Sequence, residues 1–191
     1  MKKEIFNFLA ALLCLAALPM AQAQETEPQS LTAAQAHQLL RKISGSWLVS
    51  HYTWQPQSRT FSLSSGEADI SHPAQDSYLH EQTFVRLPDG TRQRQECFIG
   101  YSTLKSRFEL IQTDAQSRNT TLMVGQWYPE FNAIAFKYPV GLLRGKARNM
   151  EYIYVFLPEN ALLKIVRTQD KKGNYLIQSK GYFALRHTAG K

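Results

Sequence analysis

From Ser46 onward the chain repeats one unit: a run of about eight to twelve residues rich in Val, Ile, Thr, Tyr, Phe and Trp, closed by turn chemistry. The runs are 46 to 55, stopped at Pro56; 59 to 71, stopped near Pro73; 77 to 87, closed by Pro88-Asp89-Gly90; and 92 to 101, 107 to 114 and 120 to 128. Four more follow at 133 to 138, 150 to 157, 161 to 169 and 175 to 187, the last pair joined through Asp170-Lys171-Lys172-Gly173-Asn174. About ten strands joined by tight turns pair with their sequence neighbours as an antiparallel meander, and such a ribbon curls until the first strand meets the last. The predicted fold is therefore all-β, a closed up-and-down antiparallel barrel. Closure also removes the two edges on which other chains could pair.

One helix precedes the strands. Thr32 and Gln35 have capping-box spacing, Leu31 and Ala36 can staple the start, and Ala36, Leu39, Leu40 and Ile43 share a face before Gly45 stops the helix. It is suited to plug or cover one end of the barrel.

The amino end has a different chemistry. Lys2 and Lys3 precede an apolar run from Ile5 to Met20, and Ala21-Gln22-Ala23 supplies the small residues that a signal peptidase accepts. Residues 1–23 are expected to be a cleaved export signal, because the run is shorter than the roughly 20 residues needed to span a bilayer. Cys14 follows Leu12 and Leu13 rather than a small residue, which disfavours lipidation. Residues 24–31 form a polar, flexible leader, and the mature chain has no transmembrane segment. Export implies a periplasmic or secreted location, where Cys97 is the one remaining thiol and is expected to be buried and inert.

Strand alternation assigns the faces. In the last strand Tyr175, Ile177, Ser179, Gly181, Phe183 and Leu185 are expected to face inward, as are Ile134, Phe136 and Tyr138. The same reading turns Leu163, Ile165 and Arg167 inward, making Arg167 an interior cation. Trp47, Val49, His51 and Thr53 share one face of the first strand, and Met150 to Leu157 is apolar on both faces. Val140 to Asn149, with Arg144, Lys146 and Arg148, is too long and basic for a simple turn and reads as a loop at the barrel mouth or a solvated connector.

Gly45-Ser46-Trp47 resembles the Gly-x-Trp opening of lipocalin-like (calycin) barrels. There, a basic residue of the last strand packs over the opening Trp, which implies that Trp47 and Arg186 close the barrel. Gly100-Tyr101 with Lys105, Arg107 and Phe108 looks like the signature of an uncharacterised bacterial family of exported lipocalin-like domains. The resemblance spans roughly residues 35 to 187, implies one lipocalin-like domain over 32–191, and carries no activity to transfer.

The chemistry-bearing residues are dispersed. His37, His51, His72, His80 and His187 have no metal-ligand spacing, so no metal or other cofactor is expected, and a haem role for His187 ranks below an exposed terminal side chain. No nucleophile elbow or phosphate loop is present. Glu67 and Asp69 share a strand face, as do Glu81 and Glu96 if the hairpin register allows. Catalytic residues are therefore not assigned, and an enzyme ranks third. Lys+Arg 22 against Asp+Glu 15 gives +7, but the arginines are scattered, which points away from nucleic acid and towards an anionic envelope surface, an acidic protein partner or solubility.

The leading expectation is a barrel whose lumen holds a hydrophobic or amphipathic small molecule. Its expected liners are Trp47, His51, Phe108, Trp127, Phe136, Tyr138, Tyr154 and Phe183, with Arg167 meeting a ligand carboxylate. The rival expectation is a filled barrel acting as an envelope scaffold through its basic loop.

Overall fold

The computed structural model describes residues 27–72, 78–87, 89–113, 120–139 and 150–186. The expected export signal, the segment 140–149 expected to be a basic loop or connector, and His187 lie outside the described residues. Helix α1 (Ala33–Ile43) leads into β1 (Gly45–Gln55), β2 (Thr60–Ser71), β3 (Tyr78–Arg86), β4 (Arg92–Ser102) and β5 (Arg107–Thr113). Then come β6 (Thr120–Tyr128), a 3₁₀ turn (Pro129–Phe131), β7 (Ala133–Lys137), β8 (Met150–Phe156), β9 (Leu162–Gln169) and β10 (Tyr175–Leu185). Every strand pairs antiparallel with its sequence neighbours, and β1 pairs with β10, so the sheet closes into an up-and-down barrel. The strand limits fall within two residues of those expected.

Turn chemistry explains that agreement. Gly90 and Gly173 take φ of 84° and 88°, the left-handed region that favours glycine. Asp89 Oδ1 accepts from the Thr91 amide, and Asp170 Oδ1 accepts from the amides of Lys172 and Asn174.

The helix closes one end. The Thr32 side chain accepts from the Gln35 amide, completing a capping box with the Gln35 side chain. Ala36, Leu40 and Ile43 bury the opposite face. Gly45, at φ 144°, turns the chain from helix to strand. Trp47, 1% exposed, then donates from Nε1 to the Ile43 carbonyl at 3.1 Å, tying strand to helix. Around this foot pack Ile99, Tyr101, Phe108, Trp127, Ile134, Phe156, Leu162 and Phe183. The preceding chain is also tied here: the Gln29 amide donates to the Trp127 carbonyl, and Tyr101 Oη donates to the Leu31 carbonyl.

Two orientations differ from the sequence expectation. In β9 the inward residues are Leu162, Lys164 and Val166, while Ile165 and Arg167 line an outer trough with Ala133, Ala135 and Ile153. Both faces of this strand are apolar, so hydrophobicity does not select the inner one. In β10 a bulge between Ile177 and Ser179 inverts the pattern. Ser179, Gly181 and Phe183 face inward as expected, but Ile177 lies opposite Arg167 on the outside, and Tyr175 reaches the outer Glu151.

The expected closure contact also differs. Arg186 follows Leu185, the partner of inward Trp47, so it projects outward, where it is 54% exposed and pairs with Glu67 at 3.5 Å. The backbone closes the seam instead, through the Arg186 amide donating to the Ser46 carbonyl at 2.8 Å. Leu40→Ala should cost about 2–5 kcal/mol, because it hollows the plug beneath Trp47. Chemical denaturation with matched m-values checks this; a change within error would show that the helix does not brace the foot.

Candidate functional site

Above the apolar foot the lumen holds a charged layer. Glu81 faces inward from β3, sharing that face with Leu79, Thr83 and Val85, and is 1% exposed. Its Oε1 accepts from Lys164 Nζ at 2.7 Å and from Thr83 Oγ1 at 3.1 Å. Its Oε2 accepts from Tyr154 Oη at 2.7 Å and from Cys97 Sγ at 3.5 Å. In the closed order of ten strands, β8 lies five positions from β3 in either direction. The Tyr154 bond therefore crosses the full lumen, and the Lys164 bond from β9 crosses most of it.

Burial opposes charge on Glu81, but the Lys164 ammonium and two further donors, Tyr154 and Thr83, outweigh it and hold the carboxyl below its ordinary 4.5. Burial likewise opposes charge on Lys164, and Glu81 reverses the effect, raising its pKa. The two form a buried ion pair, with Lys164 only 11% exposed. Burial, reinforced by Glu81, pushes the Cys97 thiol up to about 12, which removes it as a nucleophile at neutral pH. Burial raises Tyr154 as well, so its phenol remains a donor.

Beyond this layer lies a cavity of about 470 Å³. Gln93, Gln95, Gln112 and Thr83 form a hydrogen-bonding wall from β3, β4 and β5. Val49, Met150, Tyr152, Val166 and Phe183 supply apolar surface from β1, β8, β9 and β10. His51 joins the lining, with Nδ1 3.3 Å from Thr53 Oγ1. Burial first, and the Lys164 charge second, lower its pKa below 6.5, leaving a neutral imidazole at neutral pH.

The residues singled out in the sequence separate into three places. His51 and Phe183 line the cavity. Trp47, Phe108, Trp127, Phe136 and Tyr154 belong to the packed core, with Tyr138 partly buried against it. Arg167 is outside the barrel, where Nε donates to Glu151 Oε2 at 2.7 Å and the guanidinium stacks 3.7 Å from the Tyr175 ring centroid. It cannot meet a ligand in the lumen.

Of the two carboxylate pairs, Glu81 and Glu96 part, while Glu67 and Asp69 share a face as expected, the outer one. Glu81 lies opposite Cys97, so Glu96 falls on the other face and bonds His80, and the outward Glu67 and Asp69 bond Arg186 and Ser46. Sequence reasoning paired Glu81 with the wrong residue and passed over Lys164, its partner across the lumen. The alternation Leu79-Glu81-Thr83-Val85 and the run Leu162-Lys164-Val166 carry the signal, once each ion is allowed to be the other's reason for burial. Among the described residues no three His, Cys, Asp or Glu side chains form a metal-binding group.

No protein-family model matches this chain, and no curated protein matches it either. The functional reading therefore rests on the lumen itself.

Lys164→Met alone strands the Glu81 charge and should cost about 3–5 kcal/mol, whereas Glu81→Gln with Lys164→Met should recover most of that loss. Denaturant titration of the three proteins checks the asymmetry. Because Glu81 titrates lower in the folded state than its ordinary 4.5 and Lys164 higher than 10.5, the pair's contribution is fully present between those values. It falls as acid passes the depressed Glu81 value, so the stability gap between wild type and double variant should narrow in thermal melts taken from neutral pH into acid. Iodoacetamide should alkylate Cys97 only after denaturant unfolds the chain; equal rates in native and unfolded protein would contradict its burial.

Proposed function

We propose that this protein is an exported carrier that holds an amphipathic small molecule in the upper lumen of its barrel. The observation that carries this reading is the 470 Å³ cavity, a volume within the range of about 300–1,000 Å³ typical of small-molecule pockets. Its walls differ in character, with amides and a hydroxyl on one side and aliphatic and aromatic surface on the other, as an amphipathic guest requires. A barrel filled to the rim would instead suit the scaffold reading.

The export part of the proposal is supported by the sequence of residues 1–23, and the resemblance to exported lipocalin-like domains agrees with it. Among the described residues, the thiol and the amine of the lumen are both withheld from nucleophilic attack. Cys97 is held protonated and Lys164 is held as an ammonium, which favours non-covalent binding at this layer.

Native mass spectrometry of the gently purified protein should reveal a retained small molecule, and uncharged Nile red should bind saturably with a blue-shifted emission. Ser179→Trp, which fills the cavity from β10, should abolish dye binding. Absence of both a retained mass and saturable dye binding would overturn the carrier reading. Intact mass of protein from an exporting host should show a chain beginning at Gln24; an intact Met1 would overturn export.

A further inference from the structure

The charge balance of the lumen narrows the ligand class, an inference that rests on the carrier reading above. Among the described residues, four charged residues line the cavity: Glu81 and Lys164, which pair across the lumen, and Arg94 and Glu96, which come from outward positions of β4, so the lining carries no net charge. Arg94 and Glu96 pair with each other on the outer face at 3.0 Å, and Arg94 lies over the outer Phe84 ring. Arg167 and Glu151 are likewise outside.

An entering carboxylate would lose its water beside the Glu81 carboxylate, and an entering ammonium would do so beside Lys164, with no spare opposite charge for either. An uncharged acceptor meets no such penalty. Lys164 Nζ carries three protons and, among the described residues, donates one hydrogen bond, to Glu81. A carbonyl or hydroxyl oxygen reaching it from the cavity would gain a charge-assisted hydrogen bond. The amides of Gln93, Gln95 and Gln112 can each donate and accept, which suits a polar edge without formal charge. Phe183 offers the opposing apolar surface.

We infer that the lumen selects an uncharged molecule with an oxygen acceptor seated on Lys164 and a hydrogen-bonding edge along the Gln93, Gln95 and Gln112 wall.

The test uses the purified full chain near neutral pH and three probes sharing one ring system: 2-naphthamide, 2-naphthoate and 2-naphthylmethylammonium. Their affinities are measured by calorimetry on wild type, Ser179→Trp and Glu81→Gln. The amide should bind about tenfold or more tightly than either ion, and Ser179→Trp should abolish that binding. Glu81→Gln leaves Lys164 as an uncompensated cation, so the preference should shift to naphthoate. If Glu81→Gln does not fold, Glu81→Gln with Lys164→Met replaces it, and amide affinity should fall about fivefold through loss of the ammonium donor.

Tighter binding of either ion to wild type, abolished by Ser179→Trp, would overturn this inference and leave the carrier reading standing. An unchanged preference in folded Glu81→Gln, or undiminished amide affinity in the double variant, would do the same. Binding of none of the probes, or amide binding that survives Ser179→Trp, would overturn both.

Discussion

A carboxylate on one wall of the barrel is gripped by an ammonium and a phenol from the other, and this tie across the lumen organises what lies above and below it. Glu81 receives Lys164 and Tyr154 over a span that strand pairing alone does not bridge. Four donors satisfy its two oxygens, so neither ion of the pair is stranded in a low-dielectric interior. Below the tie the barrel is packed by aromatic side chains onto the helix. Above it the lining turns to amides, hydroxyls and scattered apolar surface, and the lumen opens into a cavity.

The tie is also a division between chemistries. A barrel of this strand number can enclose a ligand, yet an apolar guest would favour apolar walls all the way down. The ion pair instead presents a polar floor. It also accounts for the inertness of its neighbours: the Cys97 thiol and the Tyr154 phenol are kept protonated by burial and by the carboxylate they face. The same groups that give the site its polarity thus remove its most obvious nucleophile.

Strand limits were legible because they are written in local chemistry. Gly90, Asp170 and Gly173 impose turns whatever packs nearby, and the helix cap at Thr32 depends only on Gln35 three residues on. Closure followed from short connections and strand number. Facing was harder. In β9 Leu162 and Leu163, or Ile165 and Val166, are equally at home inside or outside, so Arg167 and Lys164 could be exchanged without offending hydrophobicity. What decides is a partner on another strand, Glu81, more than eighty residues away in sequence. The bulge in β10 defeats alternation differently: one extra residue transfers Tyr175 and Ile177 to the outer face, and no glycine or proline marks it. Trp47 was seated at the foot as its pattern implied, but Arg186, opposite Ser46, is held by the strand pleat on the far side of the sheet from the indole.

Both described ends of the chain are fastened at the foot, Gln29 to Trp127 and Arg186 to Ser46. The rim where β7 ends and β8 begins is the opposite pole. Anything joined directly at these described ends, whether an affinity handle, a tether to a surface or a neighbouring domain, would hang from the plugged pole. Immobilised that way, the molecule would stand upright with its cup turned towards the medium, free to load and unload without steric interference from its support.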